Sequence, residues 1–314
     1  MKHLLVLAIT TLLAIPTPSL AAPTSLNARQ TPINTLLHSV SRTSLLDQNL
    51  AAQKSNQRMT YVNAYGLDSA DADGVLNAGI WENPCETCPD TPAGGNGQVP
   101  WALVQGYDQA AYVKEFFALR DERGFRPRVV KGYNVGVGNE RGVFFSAVWE
   151  KRKEGEGNGA WEHRVGMSQG GFKKVLEELL EKGYRVTHLS GYEEGGEGRY
   201  TAIWEKNEDD PVKGWYALVN LSKEEYEAQL ERFEGLGYAP AVVDGYVVGE
   251  EVKYAALWEK RDAIPKRVEK HDLSEKEFRA EVEKLKDECF EVIVVSQYGK
   301  GDGSVRYAGI WERL

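Results

Sequence analysis

The chain has 314 residues and carries 38 Lys and Arg against 47 Asp and Glu, a formal net charge of −9 at pH 7. Nucleic acids and anionic membranes are bound through clustered basic side chains, so this acidic balance without a basic stripe argues against both partners. Length alone predicts about two domains. An internal repeat, described below, replaces that expectation.

The first 21 residues have the features of a secretory signal peptide. Lys2 precedes an apolar run from Leu4 to Ile15, and Ser19 and Ala21 form a small-x-small cleavage pattern. Such a pattern is typical of signal peptides, and the run is too short to span a bilayer. We therefore expect residues 1–21 to be removed, residues 22–42 to form an N-terminal linker, and the mature protein to be secreted, extracellular and free of the membrane.

Five segments of the chain end in the same Trp-Glu pair. They are GIWE at 79–82, AVWE at 147–150, AIWE at 202–205, ALWE at 256–259 and GIWE at 309–312. The last four Trp follow one another after 55, 54 and 53 residues, and the longer first gap of 68 contains a Cys-bearing insert at 83–99. A fixed period of this length indicates a repeat architecture. Burial in a core is the favoured interpretation of these Trp, and an exposed stacking platform is the alternative.

Each copy predicts a strand, then an amphipathic helix that stops at Gly124, Gly183 or Gly237, then a hairpin. We predict an α+β fold of five tandem strand-helix-hairpin repeats of about 54 residues, stacked as an arc or partial ring. The five-repeat domain covers 43–314, with copies at 43–82, 100–150, 160–205, 214–259 and 266–312. The first copy lacks a clear opening strand and is expected to be an atypical terminal cap.

Residues 166–170 spell Gly-x-Ser-x-Gly, which would make Ser168 the nucleophile of a hydrolase. The equivalent residues of the next two copies, Ser222 and Ser274, stand three positions before Glu225 and Glu277, as in a helix capping box. A cap contributes about 0.5–2 kcal/mol to helix stability, which accounts for a Ser without any catalysis. We therefore interpret Ser168 as a helix cap, and we favour a noncatalytic protein over an enzyme.

Cys85 and Cys88 lie in the Pro- and Gly-rich insert. In an oxidising compartment a small structural disulfide is the favoured interpretation. A redox pair should open a helix after a strand, whereas Pro84 and Pro89 flank this one, and a zinc site would need two further ligands. Cys289 stands in an apolar setting and is predicted to be a buried free thiol.

The repeated unit carries GlyTyrArg at 183–185 after a helix, SerGlyTyr at 190–192 before a turn and TyrThrAlaIleTrpGluLys at 200–206. With these motifs, residues 43–314 resemble the tandem repeats in the N-terminal domain of fungal polyglycine hydrolases, which also occur in bacterial proteins as a tandem repeat domain. Those hydrolases are secreted serine endoproteases, whose chemistry is done by a second domain similar to serine β-lactamases with a Ser-x-x-Lys nucleophile. No Ser of this chain has Lys three positions later. The resemblance therefore implies the fold and a secreted setting, and we expect the catalytic domain to be absent.

Five Tyr at the hairpin entrances are the leading ligand-binding candidates: Tyr65, Tyr133, Tyr192, Tyr246 and Tyr298. Aromatic rings with polar tips at a fixed spacing would suit a groove for an extended polymer. The alternative is structural, with each ring packed in the protein and each hydroxyl holding the turn that follows.

Five Glu follow the repeated Trp and raise a catalytic or metal-ligand hypothesis: Glu82, Glu150, Glu205, Glu259 and Glu312. Ion pairs are the favoured alternative, because Lys151, Lys206, Lys260 or Arg313 follows four of them. Successive copies should also lie a full unit apart, so we predict no metal and no cofactor. His163, His188 and His271 are further candidates for an unrecognised catalytic site, although His163 and His271 lie on surface-like segments.

Asn220, Leu221 and Ser222 form an N-glycosylation sequon, in which Ser222 is also the proposed helix cap. Together the features predict a secreted noncatalytic module that binds an extended polymer or a Gly-rich protein segment. Two alternatives remain: a secreted hydrolase related to serine endopeptidases with an unrecognised site, and an inhibitor or partner of a separate secreted hydrolase.

Overall fold

The computed structural model describes residues 34–55, 57–67, 74–82, 100–135, 142–151, 160–206, 212–262, 265–300 and 303–313. These residues form five units of one build, each with an opening strand, a helix, a middle strand and a closing strand. The predicted α+β repeat is therefore confirmed.

The bounds of the elements follow the chain. Unit one comprises β1 (Thr35–Val40), α1 (Arg42–Lys54), β2 (Arg58–Gly66) and β3 (Val75–Glu82). Unit two comprises β4 (Trp101–Asp108), α2 (Gln109–Phe117) with a π-helical last turn (Ala118–Glu122), β5 (Phe125–Val135) and β6 (Gly142–Lys151). Unit three comprises β7 (Trp161–Met167), α3 (Gln169–Glu181), β8 (Arg185–Glu194) and β9 (Glu197–Glu205). Unit four comprises β10 (Val212–Leu221), α4 (Lys223–Gly235), β11 (Ala239–Val248) and β12 (Glu251–Arg261), and unit five comprises β13 (Arg267–Leu273), α5 (Glu275–Asp287), β14 (Phe290–Gly299) and β15 (Val305–Arg313).

Unit one has an opening strand, contrary to our expectation. Residues 35–40 form β1, which pairs with β3 in the register Leu36 to Ile80, and α1 begins at Arg42. The expected linker was therefore wrong for residues 35–42, while residues 22–33 lie outside the described residues. The expectation that unit one lacks an opening strand was also wrong. The pattern of β1 was hard to recognise because all six of its residues are only half-buried.

Each unit forms a three-stranded antiparallel sheet in which the closing strand lies between the opening and middle strands. The opening strand is interrupted by a bulge just before its helix, where one residue adopts a positive φ: Ser39, Gly106, Gly166, Asn220 or Asp272. Gly is the residue that adopts this conformation without strain. The first Gly of Gly-x-Ser-x-Gly is thus part of a bulge that all five units share.

The core of every unit is built on its repeated Trp. All five indole rings are at most 1% exposed, and helix residues pack on them, such as Phe172 against Trp204 and Phe278 against Trp311. The predicted core position of these Trp is confirmed. None of the helices in the described ranges is long and apolar enough to cross a membrane.

The units contact one another through their middle strands. β2 contacts β5, β5 contacts β8, β8 contacts β11 and β11 contacts β14, and β14 contacts β2 in turn. At that last junction the main-chain N–H of Gln297 donates to Asn63 Oδ1 (3.0 Å). Unit five is therefore in direct contact with unit one, a junction that we call the seam.

Candidate binding site

A cavity of about 530 Å³ is lined by all five units. Each contributes residues from the end of its middle strand or the turn that follows, in the segments 64–67, 131–134, 191–193, 245–250 and 297–300 and at Gly303. All five predicted Tyr are among the lining residues. The structure thus brings together residues that lie up to 233 positions apart in the sequence.

The Tyr rings also build the contacts between units. A Cβ added to Gly132, Gly191 or Gly245 would overlap the ring of Tyr192, Tyr246 or Tyr298, which belongs to the next unit. Tyr192, Tyr246 and Tyr298 are at most 5% exposed. The Gly before the Tyr is therefore required because the neighbouring ring lies directly on its Cα.

The Tyr hydroxyls are bonded inside the protein. Tyr298 Oη accepts from the main-chain N–H of Asp272 at the bulge of its own unit (3.0 Å) and lies 2.9 Å from Tyr254 Oη. Tyr246 and Tyr200 form the equivalent hydroxyl pair (3.0 Å). Burial raises the pKa of Tyr246 and Tyr298 well above its usual value. The structural alternative for these Tyr describes them well, except that their hydroxyls hold the bulge instead of the following turn.

The seam departs from this pattern. Gln297 stands where units two to four have Gly, and its Oε1 accepts from the main-chain N–H of Ser39 (2.7 Å), the bulge residue of unit one. In unit five the bulge N–H of Asp272 is bonded by a Tyr instead. The Tyr65 ring lies against Gly299 at the seam, where an added Cβ would meet its hydroxyl. At the seam a Gln side chain therefore stands where units two to four have the Gly on which the next Tyr ring packs.

Directly next to the cavity lies a layer of buried polar side chains, one from each middle strand and each two positions before the Tyr. This polar layer consists of Asn63, Lys131, Ser190, Asp244 and Ser296, all at most 4% exposed. Asp244 is its centre, because its carboxylate accepts from Lys131 Nζ (2.6 and 2.8 Å), Ser296 Oγ (2.9 Å), Asn63 Nδ2 (3.5 Å) and the main-chain N–H of Gly191 (2.8 Å). Side chains and main chain of all five units thus meet at one carboxylate.

The polar layer supplies hydrogen-bond partners to main-chain groups of the middle strands. Middle strands form an edge of each sheet, and an edge leaves main-chain groups without ladder partners. The N–H and C=O of Gly191 are bonded to Asp244 and Lys131, and the N–H of Gly245 is bonded to Ser296 Oγ (3.0 Å). We did not identify this layer from the sequence, although a polar residue recurs there inside an otherwise apolar strand.

Beyond the polar layer the interior continues as a filled core. Tyr61 and His188 each stand two positions before the polar-layer residue of their own middle strand. They belong to units one and three, and their rings meet edge to face with centroids 6.2 Å apart. Both are at most 5% exposed. The cavity is therefore closed at its inner end by two layers of side chains.

All five Glu of the Trp-Glu pairs bind Arg side chains. Glu205 accepts from Arg126 of unit two (2.8 Å) and Glu259 from Arg185 of unit three (2.7 Å), while Glu82, Glu150 and Glu312 bind Arg58, Arg126 and Arg267. The ion-pair interpretation is thus supported, but the predicted partners were wrong. The residue that follows a Glu in a strand points to the opposite face, so the partner comes from a neighbouring strand.

Two of the three candidate His are buried and neutral. Burial lowers the pKa of His163 and His188 to about 4, so each imidazole donates to a main-chain carbonyl, Ala202 O (3.1 Å) or Val130 O (3.1 Å). The expectation that His163 lies on a surface-like segment was wrong. Burial alone lowers the pKa of His271, but the carboxylates of Glu269 and Glu227 (both 3.2 Å) outweigh burial and raise it overall.

Ser168 is the N-cap of α3. Its Oγ accepts from the main-chain N–H of Gly171 (3.1 Å), and its φ and ψ of −66° and 168° are extended. Ser222 and Ser274 form complete capping boxes with Glu225 and Glu277. The cap interpretation of Ser168 is confirmed.

The structure describes Cys289 and Asn220 of the N-glycosylation sequon but not the other two Cys. Cys85 and Cys88 lie outside the described residues, so their disulfide stays a prediction. Cys289 is a free thiol and is exposed, so the predicted burial was wrong. It follows α5 with a φ of 63°, at the position held by Gly183 in unit three. Asn220 is half-buried, and its Nδ2 donates to Gln169 Oε1 (3.2 Å). Within the described ranges, no group of three or more His, Cys, Asp or Glu is arranged to hold a metal ion.

The comparison with known families agrees with this architecture. A family model described as polyglycine hydrolase-like, structural repeat, matches residues 98–152, 158–207, 212–261 and 264–314. The four matches correspond to units two to five. No curated protein matches the chain. Unit one, outside the matched ranges, has the same order of strands and helix.

Proposed function

We propose, from the premise that this chain belongs to the polyglycine hydrolase-like structural repeat family, that it is a noncatalytic module that binds a Gly-rich peptide segment in its cavity. The observation that carries the proposal is the meeting of one equivalent segment from every unit around a single cavity of about 530 Å³. That volume is in the range of about 300–1,000 Å³ typical of ligand sites. We also propose that the protein acts outside the cell, as its N-terminal sequence suggests.

Peptide main chain is the ligand chemistry that suits these walls. The cavity is lined by the outer ends of five middle strands, each at the edge of its sheet. Such edges offer main-chain N–H and C=O groups to an extended peptide. Close approach of two main chains favours residues with small side chains, which supports a Gly-rich ligand.

We further infer that the five units close into a ring around the cavity. The support is the series of middle-strand contacts that returns from β14 to β2. Because the polar layer fills the interior next to the cavity, a polymer would not thread through such a ring. It would enter from one side, with a chain end or a turn.

A binding experiment tests the proposal. Fluorescein-labelled hexaglycine is titrated with the protein, and its anisotropy gives Kd. Val247 lines the cavity and is half-buried, so Val247→Trp should reduce the space and weaken binding at least about tenfold. Val113, 41% exposed on α2, provides the matched control Val113→Trp, which should leave Kd unchanged.

Two results would contradict the proposal: no binding by the wild-type protein at millimolar concentration, or the same loss of affinity in both variants. Tyr→Ala variants are less suitable here, because they remove buried rings and test folding. Unlabelled cell-wall polysaccharide, added as a competitor, distinguishes a peptide site from a polysaccharide site.

A further inference from the structure

The seam places an unsatisfied amide at the cavity. Gln297 lines the cavity and is only 1% exposed, yet its Nε2 has no hydrogen-bond partner among the described residues. A buried donor without a partner costs about 1–3 kcal/mol, so such groups in native proteins call for an explanation.

The orientation of this amide is fixed by its other end. Oε1 accepts from the main-chain N–H of Ser39 (2.7 Å), and an N–H can only donate, so the remaining atom must be the NH₂ group. The main chain of Gln297 is bonded as well, through its N–H to Asn63 Oδ1 (3.0 Å). The side chain is therefore held at both ends of its length, with only Nε2 left over.

The position is also unusual among the repeats. The equivalent residues are Ala64, Gly132, Gly191 and Gly245, none of which has a polar side chain. Repetition alone would place a small residue here, with the ring of the next unit packed on it. Among these five described positions, only Gln297 has a side-chain hydrogen-bond donor.

A second lining residue has the complementary group. Asn134 Oδ1 is also buried and without a partner among the described residues, on the part of the cavity wall that unit two supplies. A peptide group carries one C=O acceptor and one N–H donor. An NH₂ donor from unit five and an amide oxygen from unit two, both on residues that line the cavity, match that pair.

Building on the proposed function, we propose that Gln297 recognises the ligand main chain: a ligand in the cavity displaces the groups that cover Nε2, which then donates to a peptide carbonyl oxygen. Asn134 Oδ1 accepts from an N–H of the same ligand. The recognised chemistry is an uncharged main-chain amide, and charged side chains of the ligand are not needed.

The test compares two isosteric substitutions. Gln297→Met keeps the volume but removes both the Nε2 donor and the Oε1 acceptor of the Ser39 N–H, so its fold is checked by near-UV circular dichroism. We expect it to weaken hexaglycine binding about tenfold, the effect of losing one buried hydrogen bond. Gln105→Met is the matched control, because Gln105 is 4% exposed, donates through Nε2 to Asn77 Oδ1 (3.0 Å) and does not line the cavity. It should bind hexaglycine with the affinity of the wild type.

A folding control uses the repeat itself. Gln297→Gly restores the residue of units two to four, so the chain should fold, with near-UV circular dichroism like the wild type, and still bind at least about tenfold more weakly. If the wild type binds and both Gln297 variants bind equally well, this inference is overturned while the proposed function stands. If the wild type does not bind, the proposed function fails and this inference fails with it.

Discussion

The contact of Tyr246 on Gly191 gives a sharp test of how the units fit together. A Cβ at Gly191 would lie 2.5 Å from Tyr246 Cδ1 and 2.9 Å from Cζ. Carbon atoms prefer a separation of about 3.5–4.0 Å, so the ring must retreat by about 1 Å. Its hydroxyl is held by Tyr200 Oη (3.0 Å), and the two rings meet edge to face, which opposes that movement.

Overpacking of this kind costs about 1–3 kcal/mol. Ala also restricts the unfolded chain more than Gly does, which offsets about 0.4–1 kcal/mol. We therefore expect Gly191→Ala to lower the free energy of unfolding by about 1–2 kcal/mol, measured by urea denaturation with Trp fluorescence.

The control is Gly170→Ala in the first turn of α3, where an added Cβ meets nothing within 4 Å. This change should stabilise the protein by up to about 1 kcal/mol, because Ala is the better helix former. If Gly191→Ala were as stable as the wild type, or more stable, the Tyr contact would not be what requires Gly here.

Three further predictions concern titratable side chains. Lys131→Met should lower the free energy of unfolding by about 3–5 kcal/mol because it leaves the Asp244 carboxylate buried without its cation. The double variant Lys131→Met with Asp244→Leu should recover much of that loss. Equal urea midpoints for the single and the double variant would contradict this prediction. Glu291→Arg should stabilise the protein by about 0.5–1 kcal/mol in urea denaturation, because burial and a neighbouring Glu raise the pKa of Glu291, while units one to three have Arg at this position. Because the pKa values of His163 and His188 are lowered to about 4, the unfolded chain binds more protons than the folded protein between pH 4 and 6.5. The free energy of unfolding should therefore fall by about 1.4 kcal/mol per pH unit for each His as the pH drops through this window. A His188→Gln variant should show a shallower dependence on pH.

Much of the fold could be predicted because it repeats. The Trp-Glu pairs fixed the number of units, and the Ser at 168, 222 and 274 fixed where three helices begin. These features depend on local hydrogen bonds or on packing within one unit. They look alike in every copy, so a single chain is enough to recognise them.

The candidate site was less predictable because its residues work as a set. Each polar-layer residue is an ordinary polar side chain within its own strand, and only contact across several units shows that Asp244 needs Lys131, 113 positions away. The Tyr were correctly singled out as recurrent, but their packing on Gly of the preceding unit could not be inferred from spacing.

Differences between copies carry information that similarity hides. The helix residue equivalent to Tyr112 is Phe172 in the next unit, and the facing residues of the units that follow are His163 and Ala217. Tyr112 Oη bonds to His163 Nε2 (3.0 Å), whereas Phe172 has no hydroxyl to bond. In these two pairs, the helix residue of one unit is therefore matched in polarity by the strand residue of the next unit.

The seam has a consequence for how fast the protein reaches its native state. Neighbouring units are joined across 51 residues at Gly245 and Ser296, but the seam joins Asn63 to Gln297 across 234. Loop-closure entropy then makes the seam about 1.3 kcal/mol more costly to form than the other junctions. Long-range contacts of this kind slow folding, so the seam should form last, after the five units are already assembled in a row. The hydrogen bonds of the Gln297 amide at the seam would then form only in the last folding step, so only fully folded molecules would bind the peptide.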